Sequence, residues 1–148
     1  MAHTYTNLLT HLVFSTHDRL SAITGEIRPR LFEYMSGIAR ELRATVLAAG
    51  GIADHVHLLV VTPASLSIAD ALQEIKGGSS KWLHATFGPV FDWQRGYGAF
   101  SVSRSSVPAV VRYIERQEAH HRKVDFKEGF LELLRRNGVE IDERFLWK

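Results

Sequence analysis

The chain has 148 residues, 45% hydrophobic and 23% charged, with a formal net charge of +2 and no cysteine. That length suits one domain spanning 1–148 with a real core, and the balance is ordinary globular usage rather than extended disorder. Without cysteine there is no disulfide framework, thiolate nucleophile or Cys-type zinc site, and a (β/α)8 barrel of about 250 residues does not fit.

No apolar run reaches the roughly 18–20 residues of a membrane span. The opening MAHTYTNLLTH also lacks the basic-then-apolar order of a signal peptide, so the expectation is a soluble, cytoplasmic protein with no membrane partner. The net charge is too small to establish nucleic-acid binding. Arginine nonetheless outnumbers lysine 13 to 5, and its fork suits phosphate oxygens; a mildly basic solvated surface reads equally well.

Leu8 to Ser15 is short, carries Val and Phe, and ends at Thr16-His17-Asp18, which predicts a strand. From about Ile27 to Leu42, apolar residues recur at Leu31, Met35, Ile38, Ala39 and Leu42, a helical stripe. Thr45 to Ile52 and Asp54 to Thr62 read as two strands of a hairpin, with Gly50-Gly51 either at the turn or in a bulge. Pro63 closes the second strand. Ser67 then caps a helix with Ile68, Leu72, Ile75, Leu83 and Phe87 as its apolar set. Gly77-Gly78 costs that helix about 1 kcal/mol per glycine against alanine, leaving open whether it continues or kinks.

Phe91 to Gly98 reads as a loop and Ala99 to Ser103 as a short strand. Ser105 or Ser106 caps a helix from near Val107 to about Arg122, with Pro108 in its first turn. A last helix from about Phe126 to Arg136 stops at Asn137-Gly138. The order β-α-β-β-α-β followed by C-terminal helices predicts an α+β, ferredoxin-like (RRM-like) antiparallel sheet with both crossover helices on one face. Many functions share that fold, so function must come from the side chains.

The strand DHVHLLVV places His55 and His57 on one face and Val56, Leu58 and Val60 on the other. Two imidazoles at that spacing can present nitrogens to one cation. They can equally be half-buried histidines bonded to backbone. Asp54 next door reads as an imidazole-orienting partner or as a turn residue. On the late helix YIERQEAHH, Tyr113 and Gln117 lie four apart on one face, so a phenol and an amide oxygen can address one site. A tyrosine beside an apolar stripe is also an ordinary packing residue.

Taken in order, DHVHLLV, WQRGYGAFSVS and VPAVVRYIERQEAHHRK resemble the small single-tyrosine HUH transposases of bacterial insertion sequences, and also the related REP-associated tyrosine transposases. The resemblance runs from the Leu12–Thr16 segment to the HHRK segment. It implies that His55 and His57 are metal ligands, Tyr113 the catalytic nucleophile and Gln117 the third ligand. His120 and His121 sit at recurrent family positions and receive no role. Tyr5, Tyr34 and Tyr97 compete poorly for the nucleophile: Tyr5 is near the terminus, Tyr34 has only Ile38 and Arg30 one turn away, and Tyr97 lies in a glycine loop.

The chemistry agrees with these groups. Reversible strand cutting that conserves the phosphodiester needs a covalent enzyme ester, and an aryloxide leaves more readily than an alkoxide. An unperturbed phenol of pKa about 10 is only about 0.1% ionised at pH 7, so Tyr113 must lose its proton as it attacks. Two imidazoles and an amide add no negative charge to the cation, which favours Mg²⁺ or Mn²⁺ with open positions. No phosphate-binding loop is present, since Gly77-Gly78-Ser79-Ser80-Lys81 lacks the Gly-Lys-Ser/Thr order, so no nucleotide cofactor is expected.

By resemblance, the chain cleaves and rejoins single-stranded DNA with hairpin-bearing ends, leaves a 5′-phosphotyrosine and a free 3′-hydroxyl, and works as a homodimer. Arg40, Arg43, Arg95, Arg104, Arg112, Arg116 and Arg122 are candidate phosphate contacts, and Trp82, Trp93 and Tyr97 candidate base-stacking groups. Two rivals remain at this level. A small His-dependent metallohydrolase would use water rather than Tyr113, and a non-catalytic ferredoxin-like nucleic-acid-binding module would stack bases on its sheet.

Overall fold

The computed structural model describes residues 3–88, 91–121 and 125–141. Four strands, β1 (Leu8–Ser15), β2 (Thr45–Ile52), β3 (His55–Thr62) and β4 (Gly98–Ser101), form one antiparallel sheet in the order β2-β3-β1-β4. Helices α1 (Arg28–Glu41) and α2 (Ile68–Phe87) are the two crossovers. They pack on one face of the sheet, where Leu31, Met35, Leu72 and Ile75 meet Leu12, Phe14, Val56, Leu58 and Val60. Each fully buried aliphatic side chain there contributes roughly 1.5–3 kcal/mol. This is the expected α+β, ferredoxin-like arrangement.

Helices α3 (Val107–Glu115), α4 (Gln117–His121) and α5 (Phe126–Arg136) follow β4. They cover the opposite face, where Ile114 packs on Ala48 and Leu59, and Phe126, Leu133 and Leu134 pack on Val13 and Phe100. β3 is therefore roofed on both sides, and seven of its eight residues are buried. Period two still sorts its side chains, with Val56, Leu58 and Val60 toward α1 and α2, and His55, His57 and Leu59 toward the later helices.

Several local expectations are corrected. The β2–β3 turn lies at Ala53-Asp54, and the register shift falls between Val46 and Ala48, so Gly50-Gly51 is neither turn nor bulge. Gly50 lies opposite His57 in the ladder, beneath α3, where a Cβ would sit 1.9 Å from the Ile114 carbonyl oxygen. α2 runs unbroken through Gly77-Gly78; a Cβ at Gly78 would meet Ile38 Cδ1 at 2.7 Å, so a glycine there lets α1 approach. Phe87 ends α2 40% exposed rather than in the core.

The predicted helix from Val107 to about Arg122 is broken at Arg116 (φ −102°, ψ 24°). There the Gln117 side-chain amide donates to the Tyr113 carbonyl at 3.0 Å, satisfying a carbonyl at the end of α3. Ser67 caps α2 by accepting from the Asp70 N–H. Ser106 precedes α3 without a side-chain cap, because the Ser103 hydroxyl engages both Ser105 and Ser106. Arg122 lies outside the described residues.

Candidate metal and nucleophile site

The site begins on β3. His55 lies opposite Ser15 and Ile52, and His57 opposite Val13 and Gly50, so both rings leave the middle of the sheet toward α3–α5. They are 0% and 2% exposed. Burial of two imidazoles at this level demands partners. His55 Nδ1 lies 2.9 Å from Asp54 Oδ1, and its Nε2 lies 3.3 Å from Gln117 Oε1. His57 Nδ1 shares a 2.8 Å hydrogen bond with Nε2 of His11, a buried residue of β1.

From the other side comes α4. The Gln117 oxygen also lies 3.0 Å from His121 Nε2, one helical turn further along. Nitrogens of His55, His57 and His121 fall within 4.8 Å of one another. Three imidazoles and one amide oxygen thus converge on a small volume, and the donor set fits a divalent cation. In that role His55 Nδ1–H donates to Asp54 and His57 Nδ1–H to His11, leaving the Nε2 lone pair of each ring available. Such outer partners fix ring orientation and raise basicity.

Burial disfavours the charged form of two of these rings, His57 and His11. Burial holds His57 well below its ordinary value, and the neighbouring His55, His11, His121 and His120 push the same way. Burial lowers His11 to about 4. For Asp54, partial burial works upward, but the hydrogen bond and charge of His55 outweigh it and hold the carboxyl below its usual value. A neutral His57 is the protonation state that metal ligation requires of it.

Tyr113 lies on α3 against the same cluster. Its ring centroid is 5.6 Å from that of His57, 6.0 Å from His11 and 5.3 Å from His120. Burial raises the phenol above its ordinary value, with the Gln117 hydrogen bond opposing. The His120 Nε2 is buried and has no hydrogen-bond partner. A nucleophile-type oxygen, an unpartnered base and a four-donor cluster therefore share one face of the sheet.

A protein-family model described as "Transposase IS200 like" matches residues 4–117, the stretch that holds the sheet, Tyr113 and Gln117. The chain belongs to the IS200-like transposase family. It is 30% identical over 124 residues to the transposase of insertion sequence IS200 from Salmonella typhimurium, covering 79% of this chain and 81% of that protein. The ISDra2 transposase of Deinococcus radiodurans is 25% identical over 114 residues, covering 72% and 81%. Among solved structures, a candidate transposase from D. radiodurans R1 superposes with a TM-score of 0.63 at 25% identity, covering 79% of this chain and 96% of that one. A REP-associated tyrosine transposase, solved bound to a REP hairpin, shares the fold with a TM-score of 0.63 at 16% identity, covering 84% and 74%.

Within this IS200-like transposase, the structure brings together His55, His57, Tyr113 and Gln117 of the residues singled out from sequence. It adds His121 and His11. The Gln117-x-x-x-His121 spacing on one helix face was the legible signal for the first; His11 becomes a partner only through β1–β3 pairing. The arginines scatter. Arg95 borders the cleft beside α5, and Arg116 borders the concavity beside Gln117. Arg40 and Arg43 lie at the opposite end of α1 from Arg28, which is paired with Glu118 of α4. Arg104 and Arg112 are exposed.

Trp93 packs on the other sheet face, edge-on to Phe14 and Phe91, and donates to the Ser79 hydroxyl. Trp82 stacks on Tyr34 across α1 and α2, 4.8 Å between centroids. Both aromatics therefore have internal partners. Among the described residues, no helix is long and apolar enough to cross a membrane.

Proposed function

We propose that this IS200-like transposase cleaves and rejoins single-stranded DNA with Tyr113 as nucleophile and His55, His57, Gln117 and His121 holding a divalent cation. The observation that carries the reading is the packing of the Tyr113 ring against His57 while Gln117, four residues on, bonds His55. The phenol oxygen attacks the scissile phosphorus, a tyrosine–phosphate ester forms at the 5′ side, and the bond to the 3′-oxygen breaks, leaving a 3′-hydroxyl. In the reverse step an incoming 3′-hydroxyl attacks the ester and Tyr113 departs as phenolate.

His120 is the group against the ring whose nitrogen is free to take the phenol proton. That assistance matters because burial has moved the phenol away from spontaneous ionisation. When bound, the cation supplies Lewis-acid polarisation and orientation of the phosphate. A third imidazole makes the donor set richer in nitrogen than two histidines and an amide, which favours Mn²⁺ over Mg²⁺.

The homodimer rests on the family resemblance, in which the tyrosine helix is able to complete the partner's metal site. The base-stacking module is disfavoured, because α3–α5 cover the sheet face it would use. The test is incubation with hairpin-bearing single-stranded DNA and Mn²⁺, followed by a denaturing gel. A covalent protein–DNA band is expected with the native chain and none with Tyr113→Phe. An adduct that persists in Tyr113→Phe moves the nucleophile elsewhere, and metal-dependent cleavage without any adduct favours the water-using hydrolase.

A further inference from the structure

A cavity of about 520 Å³ opens between the end of β1, the loop before β4, α5 and residues 139–141. It falls in the range of about 300–1,000 Å³ typical of small-ligand sites. Its place is specific. Phe126 lines it and also packs its ring 4.5 Å from the His55 ring, so one aromatic side chain separates cavity from metal cluster. Ser15, another lining residue, lies opposite His55 in the β1–β3 ladder.

The walls are held from behind. Lys76 reaches out of α2 and donates to the Gln94 and Gly96 carbonyls at 2.7 and 2.9 Å, clamping the loop that carries Arg95 and Tyr97. The Gln94 N–H donates to the Ser15 carbonyl, tying the same loop to β1. On the opposite rim, Asp18 and Arg19 both adopt left-handed backbone (φ 54° and 51°), a conformation costly for non-glycine residues. The hydroxyl of buried Thr16 anchors that turn through the Leu20 and Asp54 carbonyls.

The lining combines aromatic faces with cations. Tyr97 is 46% exposed on the rim, Phe126 and Phe130 stack on each other along α5, and Arg19, Arg95 and Lys127 line the cavity together with Asp18 and Glu140. Flat aromatic surface with cationic groups beside it is the chemistry that seats an unpaired base and its phosphate.

We propose that this cavity holds one unstacked nucleobase of the strand adjoining the phosphate at the histidine cluster, with Tyr97 as stacking platform and Arg95 as phosphate contact. The inference rests on the strand-cleaving reading, which identifies the ligand. A paired base cannot enter, so the cavity selects single strand over duplex next to the cut.

The test uses the full chain, chelator-treated so that no cleavage intervenes, and a pool of random single-stranded oligonucleotides carrying 5-iododeoxyuridine. Photo-crosslinking and peptide mapping should place DNA on Tyr97, and the same pool annealed into duplex should not compete. Tyr97→Ala should weaken binding about tenfold while Tyr97→Phe retains it. Arg95→Ala should lower the salt dependence by about one phosphate contact. Both side chains are exposed, and thermal melts of the variants should match the native chain. Crosslinks confined elsewhere, with binding indifferent to Tyr97→Ala, would overturn the proposal, as would failure to bind single strands at all. Covalent adduct formation, read separately with Mn²⁺, distinguishes the two ideas. Crosslinking at Tyr97 without an adduct sinks the nuclease and keeps the cavity; an adduct without Tyr97 dependence does the reverse.

Discussion

Gly50 of β2 lies directly beneath the carbonyl of Ile114 in α3, with room for a hydrogen and none for a methyl group. This contact sets how near the helix bearing Tyr113 can come to the strand bearing His57, since Gly50 and His57 are ladder partners. Gly50→Ala must lift α3 or bend β2. Overpacking of this kind costs about 1–3 kcal/mol. A displacement of about 1 Å at a reacting group costs on the order of 100-fold in rate. Denaturant melts and adduct formation by Gly50→Ala measure the two effects. Gly77→Ala is the control, because a Cβ there meets nothing within 4 Å and the substitution should be neutral or slightly stabilising.

His121 and Tyr113 should separate binding from chemistry. His121→Ala removes one of the three clustered imidazoles and should weaken Mn²⁺ binding substantially in calorimetry. Tyr113→Phe should leave Mn²⁺ affinity near native while abolishing the covalent band. Equal Mn²⁺ affinity in native and His121→Ala chains would reduce the ligand set to His55, His57 and Gln117.

The His11–His57 hydrogen bond should also matter to metal binding, although His11 points no free nitrogen at the cluster through that bond. His11→Phe keeps a ring in the buried space and removes the acceptor. Loss of such an outer partner typically costs about 10–100-fold in metal affinity. Unchanged affinity in that variant would show that packing alone orients His57.

Stability of the metal-free protein should depend on pH through the same pair. His11 is held near 4 in the folded chain against 6.5 in the unfolded one, and His57 is also lowered. Between these values the unfolded chain binds more protons, so stability is fully present above about pH 6.5 and declines as pH falls toward 4. The His11 share is about 3 kcal/mol. Urea melts of chelator-treated native and His11→Phe chains across that window provide the measurement, and the variant should show the shallower slope.

Much of this molecule was legible in its residues because the informative patterns are local. Strand alternation put His55 and His57 on one face, a three-to-four-residue period marked α1, and Ser67 marked the start of α2. The Tyr113-x-x-x-Gln117 spacing needed only a helix to become a shared face. The break at Arg116 was not legible, because a glutamine side chain bonding back to a carbonyl leaves no mark in helical periodicity. Gly50-Gly51 misled for a related reason: glycine signals turns by its freedom, but here it serves close approach by a helix more than fifty residues away.

The chain order thus determined which groups are available and which of them share a strand face or a helix turn, since those relations depend only on backbone geometry. Only the tertiary structure decided that His11 holds His57, that His121 joins the cluster, and that Phe126 divides it from a neighbouring cavity. Those contacts join residues tens of positions apart, through strand register and the docking of α3–α5 on the sheet, and no local pattern encodes either distance.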